Sequence, residues 1–180
     1  MASYCKIIKQ GRLSNLHQTY HDTLYGFPAV NDNELFGKML LEMNQAGLSW
    51  DIVLKKSDTI KAAYANFEIS EVAQFDEDKV EDLLNNSSII RMRAKINAAI
   101  FNAKVIIDLQ KSHGSFGAWL DAQHPLSVED WIKRFKKNFK FMGKETTKEF
   151  LMASGYIKGA HDDDCPIQSL IIEQKPKWLD

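Results

Sequence analysis

The chain has 180 residues, 44% of them hydrophobic, and 23 Lys and Arg against 24 Asp and Glu give a net charge of −1. That length supports one domain or two small lobes, and near-neutrality means that only local charge can point to a nucleic-acid partner. No run approaches the roughly 20 apolar residues of a membrane span, and the opening MASYCKIIKQGR has no apolar stretch of signal-peptide length, so a cytosolic protein with no membrane partner is expected.

Helix signals follow in chain order. Asn31 or Asp32 can cap NELFGKMLLEMNQ, Ser49 can cap WDIVLKK, Ser70 can cap EVAQF and Asp76 precedes EDKVEDLL, each ahead of apolar residues at helical spacing. The longest helix is predicted from Ile90 to Lys111, with Ile96, Ile100, Ala103 and Ile107 forming its apolar stripe and Gly114 as its stop. Ser127 opens VEDWIKRFKKNF, and Lys144 to Ser154 forms a last amphipathic segment before Gly155. Strand-like runs are short, so the predicted class is all-α. The predicted domain covers residues 1–165, and the tail PIQSLIIEQKPKWLD, residues 166–180, carries one short helix or hangs loose.

One residue conflicts with its helix. Leu35, Met39, position 42 and Ala46 stack on one face, flanked by Phe36, Leu40 and Met43, yet position 42 is Glu42. A core carboxylate paired with an Arg or with backbone is the ordinary explanation. Cys5, His21, His161 and Cys165 have the composition of a closed tetrahedral zinc shell, which is structural because it leaves no open position. Their spacing alone favours two buried thiols and two surface histidines. In LLNNSSIIRMRAKINAAI a helix, a turn and a second helix place Arg91, Arg93 and Lys95 near a helix N-terminus that can hold a phosphate, although an ordinary turn between helices explains them equally well. WIKRFKKNFKFMGK interleaves Lys and Arg with Phe, as an amphipathic helix or a phosphate-tracking face would. His17, His113 and His124 are assigned no role and expected at the surface. No glycine-rich nucleotide loop, nucleophile elbow or helical HExxH pair occurs.

Taken together, YHDTLYGFP (Tyr20 to Pro28), ELFGKMLLEMNQAGLSWDIVLKK (Glu34 to Lys56), IIRMRAKINAAIFNA (Ile89 to Ala103), FKFMG (Phe139 to Gly143) and the HDDDC ending follow one known order and spacing. From residue 5 to 165 the sequence resembles the 3-methyladenine DNA glycosylase I family. The resemblance implies an all-helical fold of the helix-hairpin-helix glycosylase type, with two lobes around a base pocket. It implies structural zinc on Cys5, His21, His161 and Cys165, joining the termini. It assigns the base pocket to Glu42, Trp50, Tyr20 and Tyr25, with Glu42 as the catalytic carboxylate. Gln45, Gly47 and Leu48 would approach the gap left by a flipped nucleotide, and Arg91, Arg93 and Lys95 would lie on the DNA side. The implied partners are alkylated double-stranded DNA and the 3-methyladenine base, bound by a monomer that hydrolyses the glycosidic bond and leaves an abasic site.

The chain departs from the family pattern at several points. Tyr25 stands where Trp is common, Ile7 where Trp often follows the first Cys, and Ser87-Ser88 alters the hairpin turn. The segment between Trp119 and Phe139 is shorter than usual, and GKETTKEFLMASG brings Lys144, Glu145, Lys148 and Glu149 into a less charged run. The family lacks the catalytic Asp that its superfamily relatives carry after the hairpin, and Asp108 is not assigned that role. The alternatives are a relative that binds alkylated DNA or free base without excision, and a zinc-clipped helical protein that contacts other proteins.

Overall fold

The computed structural model describes residues 2–180, and among them every regular element is helical. The helices are α1 (Tyr4–Lys9), α2 (Asn15–Thr23), α3 (Asp32–Gln45), α4 (Trp50–Ala63), α5 (Ile69–Val72), α6 (Glu77–Asn85), α7 (Arg93–His113), α8 (Phe116–Gln123), α9 (Val128–Asn138), α10 (Lys144–Ala153) and α11 (Pro166–Glu173). The expected all-α class is observed. No helix among the described residues is long and apolar enough to cross a membrane.

The caps show why the helices begin where they do. Asn31, Asp76 and Ser127 accept hydrogen bonds from the backbone N–H three residues on, which satisfies donors that no helical carbonyl can reach. Ser49 occupies its expected cap position without a side-chain bond, and α5 begins at Ile69, so Ser70 lies inside the helix rather than at its cap. Three helices have no counterpart in the sequence reading: α1, α2 and α8, of 6, 9 and 8 residues.

Helix α3 is the centre of the packing, touching α4, α7, α8 and α10. Phe36, Met39, Leu40 and Met43 are at most 1% exposed, so its apolar face is fully covered. The long helix α7 supplies Ile96, Ala99, Ala103 and Ile106 to the same core. Beyond α8, the Phe and Trp residues of α9 turn inward: Trp131 and Phe135 are buried against Phe116, Trp119, Phe139 and Phe150, while Lys133, Arg134, Lys136 and Lys137 face solvent.

The tail is packed onto this core. Pro166 starts α11, where its missing N–H is no loss, and Ile171 is buried. Ile171 lies against Gly26, whose φ is +85°. A Cβ there would come within 2.8 Å of the Ala160 Cβ and 2.9 Å of the Ile171 Cδ1, so both backbone conformation and space demand glycine.

Asp32 ties two helix N-termini together. Its carboxylate accepts from the N–H groups of Phe116 and Gly117 at 2.7 and 3.0 Å, and from Gln110 Nε2 at 2.8 Å. It therefore satisfies the first turn of α8 from the start of α3, where a negative charge is also favoured. Asp32→Ala is expected to lower the unfolding free energy by about 2–3 kcal/mol, measured by urea denaturation, with Asp32→Asn recovering part of the loss.

Candidate functional site

A cavity of about 560 Å³ opens between α2, α3, α4 and α10, lined among others by His17, Tyr20, Tyr25, Glu42, Trp50 and Glu149. Its size lies within the roughly 300–1,000 Å³ typical of small-ligand sites. A larger groove of about 770 Å³ lies at the N-termini of α3 and α8. Its principal acid, Asp32, is already engaged in capping, so the unsatisfied chemistry is in the smaller cavity.

The helical repeat of α3 carries Glu42 inward with Leu35 and Met39, and Glu42 is only 4% exposed. Lys38, one turn earlier on the same helix, is the neighbour that would ordinarily neutralise it. Its amine is engaged elsewhere, donating to the carbonyls of Leu24, Phe27 and Ala153 at 2.8, 3.1 and 2.8 Å. Among the described residues no cation forms an ion pair with Glu42. Burial, reinforced by the charge of Glu149 and only partly opposed by Lys38 and the Tyr20 hydroxyl, pushes the Glu42 carboxyl up to about 8.

Aromatic rings form the walls. Tyr20 meets Trp50 at a centroid distance of 4.9 Å and Tyr25 at 5.5 Å. The buried Trp50 Nε1 has no hydrogen-bond partner, and neither has the buried His17 Nε2. His17 corrects the sequence reading: it is 5% exposed rather than at the surface, and its Nδ1 lies 2.9 Å from the Tyr4 hydroxyl. Recognising α2 would have revealed it, since His17 precedes Tyr20 by three positions and shares its face. Tyr4, Glu145 and Glu149 also line the cavity and were not among the expected site residues. The Tyr25 hydroxyl donates to Glu149 Oε2 at 3.1 Å.

The segment after α3 divides the remaining candidates. Gln45 lines the cavity. Gly47 adopts φ +81° and has open space on the side where a Cβ would project, and Leu48, 37% exposed, stands at the tip. Lys95 is not available to DNA as expected. It is buried, and its amine donates to the Asn44 and Ala46 carbonyls at 2.7 Å each, closing the C-terminal end of α3. Arg93 is bonded to Glu77 and Glu81 and so fastens α6 to the start of α7. Arg91 is exposed. Asp108 pairs with Lys111 on the surface, at 77% side-chain exposure, and takes no part in the cavity.

The structure gathers Cys5, His21, His161 and Cys165, with all four donor atoms within 4.8 Å of one another. Cys5 Sγ lies 3.3 Å from His21 Nε2 and 3.6 Å from His161 Nδ1, and Cys165 Sγ lies 3.8 and 3.6 Å from the same two nitrogens. Those separations match the edges, about 3.3–3.8 Å, of a tetrahedron with metal bonds of about 2.0–2.3 Å. The remaining ring nitrogens are held, His21 Nδ1 against Asp22 Oδ1 at 2.6 Å and His161 Nε2 against the Tyr25 carbonyl at 2.8 Å. Such outer contacts fix the tautomer that leaves the inner nitrogen as a ligand. Burial pushes the Cys5 thiol up to about 11, so a thiolate there needs a cation at the centre of the group. The residues present fit a metal.

Comparison with known proteins assigns the class first. The chain superposes on the Staphylococcus aureus 3-methyladenine DNA glycosylase I, solved to show 3-methyladenine recognition, with a TM-score of 0.81 and 27% identity, covering 92% of this chain and 97% of that one. The fold is thus that of a helical DNA glycosylase. Residues 10–135 match the family model for methyladenine glycosylase, and the chain belongs to that family. It is 32% identical to DNA-3-methyladenine glycosylase 1 of Escherichia coli, over 79% of this chain and 86% of that protein. It is 30% identical to the DNA-3-methyladenine glycosylase of Haemophilus influenzae, over 86% and 94% respectively.

The position of Glu42 has a measurable consequence for stability. A glutamate titrates near 4.5 in the unfolded chain and Glu42 near 8 in the folded one. Between those values the folded state keeps a proton that the unfolded state has lost, so stability falls as pH rises through the window. Comparing urea unfolding at pH 6 and pH 9, Glu42→Gln is expected to lose less stability than the wild type, by on the order of a few kcal/mol.

Proposed function

We propose that this chain is a DNA repair N-glycosylase that flips 3-methyladenine out of alkylated double-stranded DNA and hydrolyses its glycosidic bond, leaving an abasic site. The observation that carries this reading is Glu42, a buried carboxylate without a counter-ion, facing an aromatic-walled cavity of base-binding size. Methylation at N3 gives the base a positive charge and makes it a good leaving group. A pocket with an anion and ring faces therefore favours it over neutral adenine through charge-assisted hydrogen bonding and cation–π contact.

A base inside a duplex is out of reach, so it must first leave the stack. Leu48 and Gly47 are suited to the gap it leaves, the leucine as an apolar wedge and the glycine through its backbone conformation. Inside the pocket Tyr20 and Trp50 stack on the base, Tyr25 borders it, and Glu42 accepts from its exocyclic amine. As the bond between C1′ and the base breaks, the electron pair leaves with the base and neutralises its charge. Water then adds to the oxocarbenium-like sugar and releases a proton. Little general-acid power is needed, in keeping with a carboxyl whose role is to select the cation.

The Cys5, His21, His161 and Cys165 group is assigned to structural zinc. Four protein donors leave no open position for water, so the metal would supply stability rather than hydrolytic chemistry. It would clip α1 and α2 to the segment before α11.

Base release from methylated DNA, followed by chromatography, tests the activity. Glu42→Gln is expected to keep the fold and metal while losing about 1–3 kcal/mol of discrimination for the methylated base. Unchanged discrimination would refute the role given to Glu42, and damage-selective binding without release would favour a non-cutting relative. Cys165→Ser is expected to lower both metal content and melting temperature. A wild-type melting temperature unaffected by chelation would contradict the zinc assignment.

A further inference from the structure

Glu42 does not face the cavity alone. Glu149 lines it from α10, half-buried, on a different element from α3. Its Oε2 accepts from the Tyr25 hydroxyl at 3.1 Å, a bond between residues 124 positions apart that holds one carboxylate oxygen against the pocket wall. Among the described residues no cation comes within ion-pairing distance of Glu149 either. Lys148, its neighbour, is exposed, and Glu145, one turn back on α10, adds a third acid to the lining. From the other walls His17, Tyr4, Tyr20 and Tyr25 are the remaining titratable groups, and none carries a fixed positive charge.

Two carboxylates share the lining of one open-mouthed cavity: the charge of Glu149 makes Glu42 harder to ionise, and Glu149 is itself pushed up by burial and by Glu145. Lys38 and Lys148 relieve this only in part, and among the described residues neither forms an ion pair with Glu42 or Glu149. A ligand with its own positive charge would relieve it, whereas a neutral one of the same shape would leave it unchanged.

We propose that Glu149, positioned by Tyr25, is a second specificity-determining carboxylate of this pocket, so that the positive charge of an N3-alkylated purine is read from two walls rather than one. The inference rests on the base-binding reading given above. It also gives a role to a charged residue in the stretch where the chain departs from its family pattern, and to the tyrosine that stands where a tryptophan is common.

Isothermal titration at pH 8 with 3,9-dimethyladeninium, a fixed cation, and 3-methyladenine, neutral as the free base at that pH, separates charge from shape. Wild-type protein is expected to prefer the cation. Glu149→Gln should weaken cation binding about tenfold, the effect of one charge-assisted contact, while changing binding of the neutral base less than about twofold. Tyr25→Phe, which frees Glu149 without removing it, should reduce the same preference by a smaller factor. Metal content and melting temperature check that each variant is folded. Equal weakening of both ligands in Glu149→Gln, or an unaltered preference, would overturn this proposal while leaving the base pocket intact. Failure of wild-type protein to bind either ligand would remove the base-binding reading and this inference with it.

Discussion

A carboxyl held out of water without an ion-pair partner is the constraint around which the pocket is arranged. Removing an ionised carboxylate from water costs several kcal/mol unless a cation or hydrogen bonds replace the solvent, and Glu42 is 4% exposed while the Lys38 amine, which offsets that cost only in part, is bonded to three carbonyls. The same lysine instead gathers three carbonyls from two stretches of chain, Leu24 and Phe27 between α2 and α3 and Ala153 at the end of α10. Its bonds strengthen the lobe around the pocket and leave the Glu42 carboxyl without an ion pair, so that burial pushes it up to about 8. Stability lost at one residue is thus offset in the surrounding core, where Phe36, Met39, Leu40 and Met43 bury the rest of the face of α3. Functional sites commonly carry such local conflicts, with the rest of the fold compensating.

The Cys and His cluster and the pocket are built from adjacent residues. Tyr4 lines the cavity and Cys5 joins the cluster; Tyr20 lines the cavity and His21 joins the cluster. Tyr25 belongs to both, since its carbonyl receives His161 Nε2 and its hydroxyl reaches Glu149. Successive residues of a helix point about 100° apart, so one short helix can present one side chain to each centre. Helices α1 and α2 have 6 and 9 residues and are too short to hold shape unaided. Their packing on each other and of α2 on α4 supplies part of the support that their own length cannot, and the proposed metal would add to it.

Much of this was legible in the sequence, and what was hidden has identifiable causes. The conflict at Glu42 was visible because α3 has 14 residues of clear apolar periodicity against which one acid stands out. The four residues of the cluster were visible as types, but their grouping depended on contacts between residues as far apart in the chain as Cys5 and Cys165, which no spacing rule reveals. Helices α1, α2 and α8 passed unseen because too few residues repeat for a pattern to emerge, and His17 was hidden with α2. Lys95 followed the basic character of its neighbours in the reading, while in the fold it closes the end of α3. A lone lysine on a helix gives no sign of whether its amine turns outward or into a ring of carbonyls. Glu149 stood out only as added charge, since its place opposite Glu42 arises from the packing of α10 on α3.

In the proposed function Glu42 is the buried acid whose charge a cationic base balances. Its most direct measurement is a ¹³C NMR titration of the Glu42 carboxyl carbon, in the free protein and with an N3-methylated adenine cation bound. The expected result is a midpoint near 8 in the free protein, moving clearly downward when the cation occupies the pocket. A midpoint in the ordinary carboxylate range in the free protein, or one indifferent to the bound cation, would contradict it.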